Sequence, residues 1–460
     1  MNTSRRDFLK HSLAAGAAAT VPYVWTGAHA RPHDLNGLPT IASIGVGGSR
    51  GRYSQGGSIA MRASKRGRMI AVCDVDDLHT AEFSAKFDNK LSRYRDYREL
   101  FDKEKPDIVT IGTPDHWHVP IALAALRAGC DVYCEKPLTL TIAEGILIRQ
   151  AVQDSDRVFQ VGTQQRSENW ARFLKAAAIV QSGRLGKNVN AYVAIGGGEV
   201  GGPFDAEPVP SDFDWDLWMG PTNDAEYSER RRKEFRWFYD YSGGKMTDWG
   251  AHHIDIAQWA LGCDRTGPVK VSGTGKFTPL VPDHFPWQAY FDGQATLPGG
   301  FHTATKFSID LEFANGSTIN VNDFYEREGS RTKFENGILF EGEDGRIFVN
   351  REKLTGRPVE ELTDADELEL RERIVALYKG KRPGSHMRNF FECVESREEP
   401  ISDVASHHRT MTSCHLCNIV LMLGRDLYWD PDREQFKGDD QATALVSRPR
   451  RAKYSLEATT

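Results

Sequence analysis

Between Ile108 and Pro137 the chain changes its hydrophobic rhythm twice. A β-branched run, Ile108-Val109-Thr110-Ile111, breaks at Gly112-Thr113-Pro114 and gives way to a helical spacing of Val119, Ile121, Leu123 and Leu126, closed by Gly129. A second short apolar run, Val132-Tyr133-Cys134, ends at the turn Glu135-Lys136-Pro137. Strand, helix and strand within roughly thirty residues predict a βαβ unit, and so a parallel sheet with right-handed crossovers. Ligands of such sheets lie beyond the carboxyl ends of the strands. Asp115, His116 and His118 from one strand end and Lys136 from the next therefore converge on one crevice.

Apolar runs over 40–44, 68–73 and 158–162 extend the sheet, so a first domain is expected over 40–163. Beyond it the pattern changes. A helix is predicted over 169–182, then a strand over 188–195 that alternates in the antiparallel manner, then a Gly/Pro-rich loop over 196–210. Further strands are predicted over 269–277, 305–313, 318–324, 337–340 and 346–349, with Ala314-Asn315-Gly316-Ser317 as a hairpin turn, and helices over 384–396 and 405–424. This mixture predicts an α+β domain over 164–434, and the residues from Gln435 to 460 read as a polar tail.

The first strand runs into Gly45-Val46-Gly47-Gly48-Ser49-Arg50-Gly51. Gly45 suits a tight turn, and Gly47 lets backbone approach a pyrophosphate at a helix N-terminus. The last position of the G-x-G-x-x-G spacing holds Arg50, with Gly51 one residue later. The helix–strand packing is therefore altered, or the loop over 48–57 is longer than usual. Asp74, at the end of the second strand, can accept both ribose hydroxyls of NAD and would repel a 2′-phosphate, which favours NAD over NADP. The expected fold class is α/β: a doubly wound, Rossmann-type parallel sheet followed by the α+β domain.

A length of 460 residues implies two or three domains. The net charge of −6 and the lack of a Lys/Arg stripe speak against nucleic acid, and Arg230-Arg231-Arg232-Lys233 reads as a solvated helix face. At the N-terminus Ser4-Arg5-Arg6-Asp7-Phe8-Leu9-Lys10 precedes a weakly apolar segment and Ala28-His29-Ala30, a twin-arginine export signal over 1–30 with an arm over 31–39 behind it. The expected product is periplasmic or secreted, with no membrane insertion after signal cleavage. Seven cysteines form no disulfide framework, and Cys414 and Cys417 read as small core residues of a helix.

A second chemically dense stretch, Gly243 to Trp259, contains Asp248, His252, His253 and Asp255. Helical spacing places Asp248 near a helix N-terminus, where it can cap, and puts His252 on the same face, four residues on. A carboxylate orienting an imidazole suits a general base. A metal site is not expected, since adjacent helical histidines point about 100° apart.

Gly45-x-Gly47, Thr113-Pro114-x-His116-x-His118, Glu135-Lys136-Pro137 and Asp248-x-x-x-His252 together resemble the Gfo/Idh/MocA oxidoreductases, in order and over nearly the whole chain. The resemblance implies a cis peptide before Pro137 and an open-faced, mostly antiparallel second sheet through which homodimers or homotetramers form. It implies catalytic roles for Lys136, Asp248 and His252. Cofactor contacts are implied for Gly45, Gly47, Gly48, Ser49, Arg50, Asp74, Thr113, Pro114, His116, His118, Glu135, Lys136, Gln164 and Trp218. Substrate contacts are implied for Lys136, Arg236, Asp248, His252 and His253. The activity so implied is NAD-dependent hydride transfer at a secondary hydroxyl of a sugar or glycoside, and export to a compartment with little free nicotinamide cofactor adds the expectation that NAD(H) is retained and recycled. Two alternatives stay open: glycoside cleavage through transient C3 oxidation, and a cofactor- and carbohydrate-binding protein without turnover.

Overall fold

Six parallel strands carry the first half of the molecule: β1 (Thr40–Ile44), β2 (Arg68–Cys73), β3 (Ser92–Tyr94), β4 (Ile108–Ile111), β5 (Asp131–Cys134) and β6 (Phe159–Val161), in the order β3-β2-β1-β4-β5-β6. The computed structural model describes residues 37–329 and 331–455. The expected export signal and most of the arm lie outside them. The central strands are buried almost throughout because helices cover both faces, leaving no solvated side to alternate with. The strand order reverses at β1, which bonds β2 on one side and β4 on the other. A crevice opens at that point.

The turn after β1 resolves the odd glycine spacing. The following helix spans Gln55–Ala63, so the connecting loop is long, and Gly56 provides the close helix–strand contact. A Cβ at Gly56 would stand 1.8 Å from the Gly45 carbonyl oxygen.

The second half is built on nine strands: β7 (Asn190–Ile195), β8 (Pro268–Lys276), β9 (Lys306–Phe313), β10 (Thr318–Asn322), β13 (Asn336–Glu341), β14 (Arg346–Val349), β15 (Leu354–Thr355), β16 (Leu427–Asp430) and β17 (Gln435–Phe436). Their order is β15-β14-β13-β7-β10-β9-β8-β16-β17, and a small ribbon, β11 (Tyr325–Glu326) with β12 (Lys333–Phe334), stands beside them. Along β9, Phe307, Ile309, Leu311 and Phe313 are buried while Lys306, Ser308 and Asp310 face solvent. One face thus packs on helices Gly250–Ala260 and Val404–Leu423, and the other is open.

Three sequence expectations need correction. Asn169, Trp170 and Ala171 have φ of 58°, 58° and 55°, so the helix predicted from 169 begins at Arg172. Strand β7 pairs antiparallel with β13 but parallel with β10, because the chain between β7 and β10 crosses over through helices. The polar tail is no tail. Its β17 pairs with β16, Arg450 bonds Glu144, Arg451 donates to the Gly220 carbonyl (2.8 Å) and to Asp216 (2.6 Å), and Tyr454 sits edge-on to Trp117 at 5.6 Å. Its partners lie on other elements, where a local pattern cannot see them. All seven cysteines are buried. No helix among the described residues is long and apolar enough to cross a membrane.

Candidate active site

The crevice at the strand-order reversal is a cleft of about 640 Å³, walled on one side by the ends of β1, β2, β4 and β5 and on the other by the segment around Asp248 and His252. Lys136, two residues beyond β5 and followed by a cis peptide to Pro137, crosses between the walls. Its Nζ donates to Asp248 Oδ1 at 2.5 Å and to the Asp248 carbonyl at 3.1 Å. His118 ties the strand ends together, its ring nitrogens facing the carbonyls of Pro137 (2.7 Å) and Thr113 (2.8 Å).

Lys136 also explains why the expected Asp248–His252 pairing is absent. The helix is interrupted here: Lys245–Asp248 is a separate turn, and the His252 N–H bonds the Trp249 carbonyl, leaving that of Asp248 to the lysine. Asp248 therefore neither caps the Gly250–Ala260 helix nor holds the imidazole. His252 is buried, and its Nδ1 has no protein partner.

Burial, then the nearby Lys136 and Arg351, push the His252 pKa well below the usual histidine range, so the ring is neutral. Burial works against the Asp248 carboxylate, but Lys136 and Arg236 outweigh it and hold its pKa down. Asp115 differs: burial lifts its carboxyl to about 7, against the opposing pull of Arg236 and a 2.5 Å hydrogen bond from Ser242. Glu135, also raised by burial, is held by Gln164 (2.8 Å) and Gln55 (3.3 Å). An ammonium, a carboxylate and a neutral imidazole thus stand together, the set needed to bind a hydroxyl and move its proton.

Of the residues named from sequence, Gly45, Gly47, Asp74, Thr113, Pro114, His118, Glu135, Lys136, Gln164, Trp218, Arg236, Asp248 and His252 line the cleft. Gly48, Ser49, Arg50, His116 and His253 do not. The long loop carries Ser49 to Glu82 and Arg50 to a bidentate pair with Asp212 (2.6 and 2.7 Å). His116 points its Nε2 at the Trp218 carbonyl (2.7 Å), and burial lowers its pKa to about 3. His253 faces the core, where Nδ1 accepts from the Gln165 amide (3.2 Å) and Nε2 donates to Asn336 (3.0 Å). Their places are taken by residues the sequence reading missed: Arg52, Tyr53 and Gln55 from the long loop, Arg95 and Arg232 near Asp74, and Arg351 beside Trp249. The displaced glycine at 56 was the available signal for the loop residues. Arg351, in the turn after β14, carried none.

Comparison with known proteins decides the family. Residues 40–163 match the Gfo/Idh/MocA oxidoreductase model for an NAD-binding Rossmann fold, and residues 196–276 and 329–456 match the model for that family's C-terminal alpha/beta domain. The chain belongs to the Gfo/Idh/MocA oxidoreductase family. Residues 2–22 match the signal sequence of the twin-arginine translocation pathway, which marks the chain for export across the cytoplasmic membrane. Among relatives, inositol 2-dehydrogenase of Salmonella typhimurium is 29% identical over 120 residues, 26% of this chain and 35% of that protein. Levoglucosan dehydrogenase of Pseudarthrobacter phenanthrenivorans is 26% identical over 275 residues, 58% of this chain and 60% of that one. The matches thus span only a third to three-fifths of these relatives. The WlbA dehydrogenase of Bordetella pertussis, solved with NADH and UDP-GlcNAcA, shares the fold at a TM-score of 0.56 and 14% identity, covering 85% of this chain and 99% of that one. Myo-inositol 2-dehydrogenase of Lactobacillus plantarum does so at 0.54 and 18%, covering 85% and 99%.

The Gfo/Idh/MocA glycine turn fits a dinucleotide. Gly45 and Gly47 take φ of 75° and 60°, and a Cβ at Gly47 would approach the Tyr53 carbonyl oxygen to 2.8 Å, so side chains are excluded where a phosphate must come close. Asp74 lies alongside, accepting the Gly47 N–H at 3.0 Å.

Proposed function

We propose that this protein oxidises a secondary hydroxyl of a sugar or glycoside with NAD, retains the cofactor, and works in the periplasm. The Lys136–Asp248 bond supports this reading above all: it joins the dinucleotide wall to the wall bearing His252, so one hydroxyl can meet both groups. Bound NAD would supply the hydride acceptor at the Rossmann end of the cleft. The chain's own residues do the rest. Neutral His252 accepts the hydroxyl proton. Lys136 donates hydrogen bonds to the oxygen as negative charge grows there, and Asp248 keeps the ammonium aimed. Trp218 and Gln164 border the space in which substrate and cofactor are held, and fixed near-attack geometry contributes to rate.

Asp74 supports NAD over NADP. The nearby Arg95 and Arg232 are engaged by Asp77 and Asp76, and the Asp74 carboxylate, held by the Gly47 and Asp76 N–H groups at the end of β2, would repel a 2′-phosphate. The solvated face of the nine-stranded sheet is the surface through which a homodimer or homotetramer would form. The test is a mass and absorbance spectrum of the purified protein, followed by titration with a panel of sugars and aryl glycosides. Retained NAD(H), with a 340 nm band that responds to particular sugars, supports the reading. Protein free of dinucleotide and silent to every sugar overturns it, and glycoside cleavage without net change at 340 nm places the chemistry in a redox-neutral cycle.

A further inference from the structure

The wall around His252 holds more positive charge than the proposed chemistry uses. Lys136 is matched by Asp248. Arg236 lies over Tyr53 and Phe235, each at 4.9 Å, with Nε 3.6 Å from the same Asp248 oxygen. Arg351 is stacked on Trp249 at 4.4 Å, and its Nε donates to Gln165 at 3.1 Å. Among the described residues the Arg351 guanidinium forms no ion pair with a carboxylate, and its side chain lines the cleft with solvent-exposed surface. Asp115 and Glu135, on the opposite wall, do not balance it: Asp115 is engaged by Ser242, and Glu135 by Gln55 and Gln164.

Stacking on Trp249 and the Nε bond to Gln165 hold this guanidinium in one orientation with its terminal nitrogens uncommitted. A planar fork held rigid in this way suits bidentate binding of a carboxylate. The cofactor's phosphates do not account for it, because they belong to the Gly45–Gly47 turn on the opposite wall, whereas Arg351 is anchored through Trp249 and Gln165 beside His252. We propose that Arg351, assisted by Arg236, binds a carboxylate carried by the sugar, so that the substrate class is a hexuronic acid or its glycoside rather than a neutral sugar. This assignment rests on the dehydrogenase reading above and narrows it.

Matched pairs test it on the holoenzyme as purified: glucose against glucuronate, galactose against galacturonate, and methyl glucoside against methyl glucuronide, with the sulfated and phosphorylated sugars as separate arms. Binding is read by calorimetry and oxidation by the 340 nm band. At least one uronate is expected to bind about tenfold or more tighter than its neutral partner, with the preference shrinking as salt rises. Arg351→Gln should bring that ratio within about twofold, and Arg351→Lys should restore part of it, with circular dichroism and melting curves confirming that each variant is folded. Neutral sugars oxidised with no gain from a carboxylate overturn the inference while the dehydrogenase reading stands. A preference for sulfate or phosphate over carboxylate also overturns it, as does a uronate preference that survives Arg351→Gln. A folded holoenzyme that binds and oxidises neither series overturns both readings.

Discussion

Two ion pairs lie at opposite sides of one helical segment, and only one of them is complete. On the core side, Asp255 takes two bonds from Arg166, each 2.7 Å, and a third from Thr410, while the guanidinium also reaches the Ile401 carbonyl and lies over Trp259. On the cleft side, Asp248 is bonded by Lys136 alone, with Arg236 further off at 3.6 Å, and the nearby His252 keeps its Nδ1 unbonded. The neighbouring histidines repeat the contrast, since both nitrogens of His253 are bonded. Where every polar atom is answered by protein, the group fixes the fold. Where some are left over, the same residue types keep their capacity for a ligand.

Acid should break both regions together, and with the largest effect. Burial holds His116 and His415 at pKa values of about 3 and His118, His253, His386 and His407 at about 4, with His252 also far below its usual value. Below pH 6.5 the unfolded chain takes up protons that the folded chain refuses. Stability present above pH 6.5 is therefore lost as pH falls toward 4, by as much as about 1.4 kcal/mol per pH unit for each histidine. Asp115, raised to about 7, works in the opposite sense and offsets one of them. Urea unfolding at pH 7.5, 6 and 5 measures the slope, and a flat profile would contradict the burial of these rings.

The two ion pairs should separate cleanly by mutation. Arg166→Ala strands Asp255 in the core and should cost about 3–5 kcal/mol of stability. Lys136→Ala should lower kcat by about 10²–10³-fold and stability by only about 1 kcal/mol, read by steady-state kinetics and urea melts on the same samples. Equal stability losses from the two variants would erase the distinction drawn between core and cleft. Gly56→Ala, which forces a Cβ onto the Gly45 carbonyl, should cost about 1–3 kcal/mol and shed cofactor during purification. Smallest is Asp74→Ala, expected to weaken NAD binding about tenfold and to narrow its advantage over NADP, as a dialysis titration with both nucleotides would show.

The parallel sheet was legible because burial on both faces removes the polar alternation, and β4, β-branched throughout and fully buried, shows this plainly. Strand β3, three half-exposed residues at the sheet edge, has no such pattern and went unread. Lys136 and His252 stood out because a turn beside proline and a histidine four residues after an acid carry chemical meaning locally. Their actual geometry did not follow from spacing, since the break at Trp249 depends on a lysine 112 residues away in the chain. Arg351 shows the same limit from the other side: its importance comes from Trp249 and Gln165, which no stretch of sequence sets next to it.

The packed C-terminal segment has a consequence for the order in which the molecule is completed. Arg450 closes on Glu144 in the helix Ile142–Gln153, Arg451 grips Gly220 and Asp216 around the Trp218 turn, and Tyr454 backs Trp117 at the mouth of β4. Arg450 follows Glu144 by 306 positions, so this latch is made well after the domain it braces. A nascent chain therefore holds an unbraced nucleotide wall until these residues emerge and close on it.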